Sequence, residues 1–286
     1  MAYSQYSWQT KEGINLFAQA WAPDGETKAV LALVHGIGEH SGRYESVAMM
    51  LNREEYALLG MDLRGHGKSG GRRGHFSFED AMNDIDLLIS QALKLFPGKP
   101  VFLYGHSLGG LLVLDYAMQR PVTSVKGIIA TSPALGTASP VPAWKLTLAN
   151  LMKTINPSMT MTNGLDVTAI SHNPAVITSY KTDPLIHPLI SARLGWDLLQ
   201  TGPWVIEHAA EFPAIPLLLM QGNADRIVDP AATKKFAKNI KKGDITFQLW
   251  EGGYHEMHNE PNRDEVFNVL VHWLDRNYLP QSETLA

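Results

Sequence analysis

The segment Val101-Phe-Leu-Tyr-Gly-His-Ser-Leu-Gly-Gly-Leu-Leu-Val-Leu-Asp-Tyr-Ala-Met-Gln-Arg120 decides the fold. Its start, Val101 to Tyr104, is continuously apolar, as a strand buried on both faces must be. From Leu111 to Arg120 the residues Leu112, Val113, Tyr116 and Ala117 suit a helix. Gly105-His106-Ser107-Leu108-Gly109 therefore has to turn the chain from strand to helix within a few residues. Glycines two before and two after Ser107 leave room for a sharp turn that strains the serine backbone and exposes its Oγ.

The same strand pattern recurs on either side. Ala29 to Val34, Ala57 to Met61, Gly127 to Ala130 and Ile215 to Met220 are short apolar runs, and Thr246 to Trp250 reads as a last strand. Phe78 to Phe96 places Met82, Ile85, Leu88, Ile89, Ala92 and Leu93 at three- and four-residue steps, and Pro97-Gly98 ends the helix. Alternating strands and helices predict an α/β fold: a mostly parallel central sheet with flanking helices. Ser4 to Thr10 and Ile14 to Ala22, separated by Lys11-Glu12-Gly13, read as an antiparallel hairpin at its edge.

Between Pro133 and Pro213 the alternation stops. Trp144, Leu148, Leu151, Met152 and Ile155 there form a helical stripe, which fits a helix packed on the core or a lid whose apolar face meets lipid. The expected organisation is a core from residues 1–134 and 212–286 with a helical cap inserted at 135–211.

Composition removes several classes of function. The 286 residues include no cysteine, so zinc-thiolate sites, redox dithiols and disulfide scaffolds are excluded together. The 24 Lys and Arg against 28 Asp and Glu leave a net charge of −4, without the basic excess that binding a phosphate backbone requires, so no nucleic-acid partner is expected. The first residues do not read as a signal peptide, and no apolar run approaches the ~18 residues of a spanning helix. A soluble, cytoplasmic protein is the resulting expectation. No phosphate-loop, dinucleotide or metal-ligand spacing occurs, so neither cofactor nor metal is expected. Arg64, Lys68, Arg72 and Arg73, among the glycines of the 60–74 segment, read as a solvated charged loop.

A serine hydroxyl is a poor nucleophile unless an imidazole takes its proton and an acid orients that imidazole. Chains built on this turn place them in the order serine, acid, histidine. Past Met220, Asp225 and Asp229 compete for the acid. Asp229 precedes Pro230 and a helical stretch, so a helix N-cap explains it fully, and Asp225 is the candidate acid. His255, directly after Gly252-Gly253-Tyr254, can swing over the carboxyl end of the sheet and is the candidate base; His258 lies one turn further. His35-Gly36-Ile37-Gly38 ends the first parallel strand, where main-chain N–H groups of Ile37 and Leu108 could receive an oxyanion. His172, His208 and His272 have no sequence neighbours that argue for more than structural or exposed roles.

His35-Gly-Ile-Gly-Glu-His-Ser-Gly-Arg-Tyr44, Asp62-Leu-Arg-Gly-His-Gly-Lys-Ser69, Gly105-His-Ser-Leu-Gly-Gly110, Ser179-Tyr-Lys-Thr-Asp-Pro-Leu185, Gly222-Asn-Ala-Asp-Arg226 and Gly253-Tyr-His255 together resemble the monoacylglycerol lipases and related lysophospholipases of the α/β-hydrolase fold. The resemblance spans nearly the whole chain. It implies a triad of Ser107, Asp225 and His255, oxyanion donors at Ile37 and Leu108, and Glu39, Arg43 and His258 near the site of the glycerol part. It also implies a small lipid substrate, a monoacylglycerol, and a cap that can touch a membrane surface. A lysophospholipase would share the chemistry and need a place for a charged headgroup, for which the Arg72-Arg73 loop is the available feature. A binding module without turnover would show a broken triad, whereas here every position is filled.

Overall fold

Val30, Ala32 and Val34 point into one apolar layer, and Ala29, Leu31 and Leu33 point into another. All six are fully buried, so strand β3 (Ala29–Val34) lies in a sheet covered on both faces. The structure, a computed structural model, describes residues 1–278. Eight strands form the main sheet. They include β1 (Ala2–Gln9), β2 (Asn15–Ala22), β4 (Tyr56–Met61), β5 (Val101–His106) and β6 (Gly127–Thr131). Further along, β7 (Thr160–Thr162) and β8 (Leu189–Ser191) make a separate antiparallel pair, while β9 (Leu217–Gly222) and β10 (Ile245–Trp250) complete the main sheet. The order across that sheet is β1-β2-β4-β3-β5-β6-β9-β10.

The pairs β1–β2 and β2–β4 are antiparallel and all others are parallel, so the amino-terminal hairpin forms the edge read from the sequence. Helices α1 (Glu45–Arg53) and α8 (Arg263–Asn277) contribute Leu51 and Trp273 to one layer. On the opposite face, α2 (Phe78–Leu95) and α3 (Leu108–Gln119) supply Ile85, Leu88, Leu111 and Leu112. The start of α2 is fixed by a reciprocal cap, in which the Ser77 hydroxyl accepts from Asp80 N–H and the Asp80 carboxylate accepts from Ser77 N–H.

Two boundaries near the elbow differ from the sequence reading. β5 runs on to His106, which pairs with Thr131 of β6, and α3 begins at Leu108. The turn between them is the single residue Ser107.

Between β6 and β9 the chain forms α4 (Ala143–Ile155), β7, α5 (Pro174–Thr182), β8 and α6 (Ala192–Glu207). Leu194 and Val205 of α6 join the core, whereas α4 buries none of its residues. Leu148 and Met152 are half-buried, and Trp144, Leu151 and Ile155 are 64%, 55% and 66% exposed. The stripe therefore faces outward rather than into the core. No described helix is long and apolar enough to cross a membrane.

The charged glycine loop is a correction. Arg64 is buried, with Nε and Nη2 donating to the two Asp84 oxygens at 2.7 Å and Nη1 lying 2.9 Å from Asp80. Its partners sit on α2, beyond the reach of a local reading, and they turn the loop into a braced wall. Arg72 and Arg73 are exposed as expected, Arg72 donating to the Ser158 hydroxyl.

Candidate active site

Ser107 occupies the elbow with φ 55° and ψ −117°, a left-handed conformation costly for a residue with a Cβ. Both glycines of the elbow are required by space. A Cβ on Gly109 would lie 2.0 Å from Val34 O, and one on Gly105 would lie 2.2 Å from Gly109 O. The first turn of α3 is thus pressed onto the ends of β3 and β5. Ser107 stands at the N-cap of α3, yet its side chain does not cap, which leaves the hydroxyl for chemistry.

Asp225 lies in the turn after β9, and His255 in the loop after β10. His255 Nδ1–H donates to Asp225 Oδ2 at 2.7 Å. The other Asp225 oxygen accepts from the N–H groups of Ile227 and Val228 at 2.8 and 3.1 Å, and Gln221 Nε2 donates to Oδ2 at 3.0 Å. Burial opposes the charge on both partners. For Asp225 it is outweighed by His255 and these donors, so the carboxyl titrates below its ordinary range. For His255 the Asp225 carboxylate outweighs burial and raises the imidazole above its usual value. Asp229 accepts from Ala231 N–H at 2.9 Å and caps α7 (Pro230–Asn239), as the sequence indicates.

Ser107, His255, Ile37, Glu39 and Arg43 line one pocket. Ser107 and His255 both face it, without a direct hydrogen bond between them. Among the described residues, the N–H groups of Ile37 and Leu108 donate to no protein acceptor, so both remain available. Gly36 lets the Ile37 loop approach Ser107, because a Cβ there would stand 3.2 Å from Ser107 Cβ and 2.8 Å from Glu39 Oε1. Gly36 N–H donates to that Glu39 oxygen at 2.6 Å, and Tyr44 Oη–H donates to it at 2.8 Å. From the segment between β6 and β9, His187 N–H donates to Gly38 O at 2.9 Å and holds the far side of the loop.

His258 is fully buried and lies outside this lining. Its ring stacks on Tyr44 at 5.1 Å and meets His106 edge-on at 5.1 Å, and neither ring nitrogen has a partner. Of the remaining histidines, His172 pairs with Glu260 at 2.6 Å and His208 with Trp204 O at 2.9 Å.

Three contributors escaped the sequence reading. Glu256 and Tyr180 line the pocket, the former paired with Arg43 and the latter under its guanidinium at 4.8 Å. Ser132, buried with φ 43°, donates its hydroxyl to His255 O at 2.7 Å and fixes the backbone at His255. Glu256, adjacent to His255, and Tyr180, inside the Ser179–Leu185 segment, carried sequence signals that could have found them; Ser132 carried none.

Residues 25–262 match the family model described as serine aminopeptidase, S33. The chain is 38% identical to an uncharacterized abhydrolase domain-containing protein of Dictyostelium discoideum over 93% of its own length, spanning 28% of that larger protein. It is 35% identical to a monoglyceride lipase of Rattus norvegicus over 91% of this chain and 86% of that one. The crystal structure of a monoacylglycerol lipase from Paleococcus ferrophilus superposes with a TM-score of 0.82 at 34% identity, covering 97% of this chain and 100% of that one. Elbow, sheet order and similarity over most of the length agree: the chain belongs to the S33 family of α/β-hydrolases, a serine hydrolase of lipase type alongside the monoglyceride lipases.

Proposed function

We propose that the protein hydrolyses the ester bond of monoacylglycerols to fatty acid and glycerol through an acyl-serine intermediate. The observation that carries this reading is the Asp225–His255 pair facing the pocket that Ser107 and Ile37 line. His255 Nε2 takes the Ser107 proton as Oγ attacks the ester carbonyl, and the oxyanion receives the N–H groups of Ile37 and Leu108. His255 then gives the proton to the departing glycerol oxygen. Water, activated by the same imidazole, releases the fatty acid. Asp225 holds Nδ1–H in place, so that Nε2 presents its lone pair to the serine.

The substrate class is supported by the monoglyceride lipase of Rattus norvegicus and by the outward apolar face of α4. The insertion at 135–211 is read as a cap over Ser107. The cavity at the serine is about 10 Å³, roughly the space of one water, so an acyl glycerol enters only after the cap shifts. Trp144, Leu151 and Ile155, flanked by Lys145 and Lys153, would rest on a lipid surface and bring the substrate to the opening.

The test is fatty-acid release from monoacylglycerol, lysophospholipid, diacylglycerol and a short soluble ester, with wild type beside Ser107→Ala. Serine-dependent turnover that favours monoacylglycerol supports the reading. Turnover of the short ester alone leaves the mechanism standing and removes the lipid assignment. Full activity in a folded Ser107→Ala protein overturns the nucleophile.

A further inference from the structure

Among the described residues, Arg43 is the one arginine or lysine lining the pocket at Ser107, and both of its terminal nitrogens are already engaged. Nη1 donates to Glu256 Oε1 at 2.7 Å and Nη2 to Glu256 Oε2 at 2.8 Å, a parallel two-point pairing. Nη1 also donates to Glu39. The three side chains are 10% or less exposed, and the guanidinium lies over the Tyr180 ring. Glu256 is held from two further directions: its N–H donates to Ile170 O at 2.7 Å, and Oε2 accepts from Asn259 Nδ2 at 2.8 Å. Two carboxylates thus answer one guanidinium beside the nucleophile. Of the nearby histidines, burial pushes His106 and His258 below the ordinary imidazole range, and His255, raised by Asp225, is matched by that carboxylate.

An arginine fork is the side chain best shaped to receive a phosphate, and here a carboxylate fills it. We propose that Glu256 is a specificity-determining residue: by occupying Arg43 it leaves the pocket with an excess of negative charge that rejects anionic headgroups and admits neutral glycerol. This rests on the reading that the headgroup of the ester is held beside Ser107. A phosphodiester entering the pocket meets that excess in a poorly screened setting, where like charges repel strongly. The hydroxyls of glycerol instead find carboxylate acceptors. Discrimination comes from a repulsive element as much as from an attractive one.

The test compares Glu256→Gln with wild type on two substrates of the same acyl chain, a monoacylglycerol and a lysophosphatidylglycerol. Both pass through the same serine and base, so any change in His255 affects both and leaves the ratio of their kcat/KM values as the reading. The anionic-to-neutral ratio rises about tenfold or more in Glu256→Gln. It falls back when Arg43→Gln is added, since the freed guanidinium is what would receive the phosphate. An unchanged ratio in Glu256→Gln, or a rise that survives loss of Arg43, overturns the proposal. Should Glu256→Gln lack a cooperative melting transition, Glu256→Ser, neutral and smaller, supplies the same comparison. A second arm uses butyrylglycerol and butyrylglycerol phosphate. A charge-dependent ratio there, with no long-chain turnover in wild type, sinks the lipid assignment and keeps the role of Glu256.

Discussion

Replacing Gly109 by alanine tests whether close packing of the elbow, rather than backbone freedom alone, sets the position of Ser107. The added Cβ would stand 2.0 Å from Val34 O and 2.6 Å from His35 O, whereas real Cβ atoms essentially never approach closer than 3.0 Å. Both obstacles are main-chain atoms at the end of a central strand, so no side chain can swing aside. The first turn of α3 must retreat by about 1 Å, carrying Leu108 N–H and Ser107 with it. Overpacking of this kind costs about 1–3 kcal/mol of stability. A displacement of that size at a reacting atom costs about a hundredfold in rate. The assay pairs thermal melting with kcat on a short soluble ester, which avoids any need for contact with lipid. Gly98→Ala is the control: φ there is +75° and nothing lies within 4 Å, so it carries left-handed strain without collision. Its melting temperature should fall with a loss of about 1 kcal/mol while kcat stays at the wild-type value. Wild-type kcat in Gly109→Ala, or an equal loss in both variants, would refute the packing argument.

Asp225→Asn should lower kcat by about ten-thousandfold with the fold retained, because the imidazole loses the partner that fixes its tautomer; ester hydrolysis beside a melting curve checks both parts. Since Asp225 raises His255 above its ordinary value of 6.5, and the base acts in its neutral form, kcat/KM on a neutral ester should fall as pH drops through a midpoint above 6.5. A wild-type midpoint below 6.5 contradicts the raising of His255 by Asp225. Arg64→Ala should cost about 3–5 kcal/mol in denaturant unfolding, because it strands Asp84 in the interior, and Arg64→Ala with Asp84→Ala should cost less than the sum of the two singles. Changing Trp144, Leu151 and Ile155 together to serine should weaken binding to phosphatidylglycerol-containing vesicles without lowering turnover of a soluble ester; unchanged binding removes the lipid-facing role of α4.

Much of this protein is determined by its sequence alone, because the decisive signals are local. The apolar run from Val101, the glycine-flanked Ser107 and the helical spacing beyond it are set by burial and turn geometry within twenty residues. The same locality separates Asp225 from Asp229: a proline after an aspartate marks a helix start, and the structure places Asp229 there. The buried strands follow from continuous apolar runs, and the edge hairpin from two apolar, aromatic-rich segments on either side of Lys11-Glu12-Gly13. What the tertiary structure decided depends on partners distant in the chain. Arg64 reads as solvated until α2 brings Asp84 and Asp80 to it, and the α4 stripe fits core or surface until the packing of α6 shows which side is covered. Glu256 becomes notable only when the fold brings Arg43, 213 positions earlier, into its reach. Helix and strand periods record which face is apolar, but the pairing of one charge with another across the sheet leaves no trace in local sequence, because either residue alone would suit a solvated loop equally well.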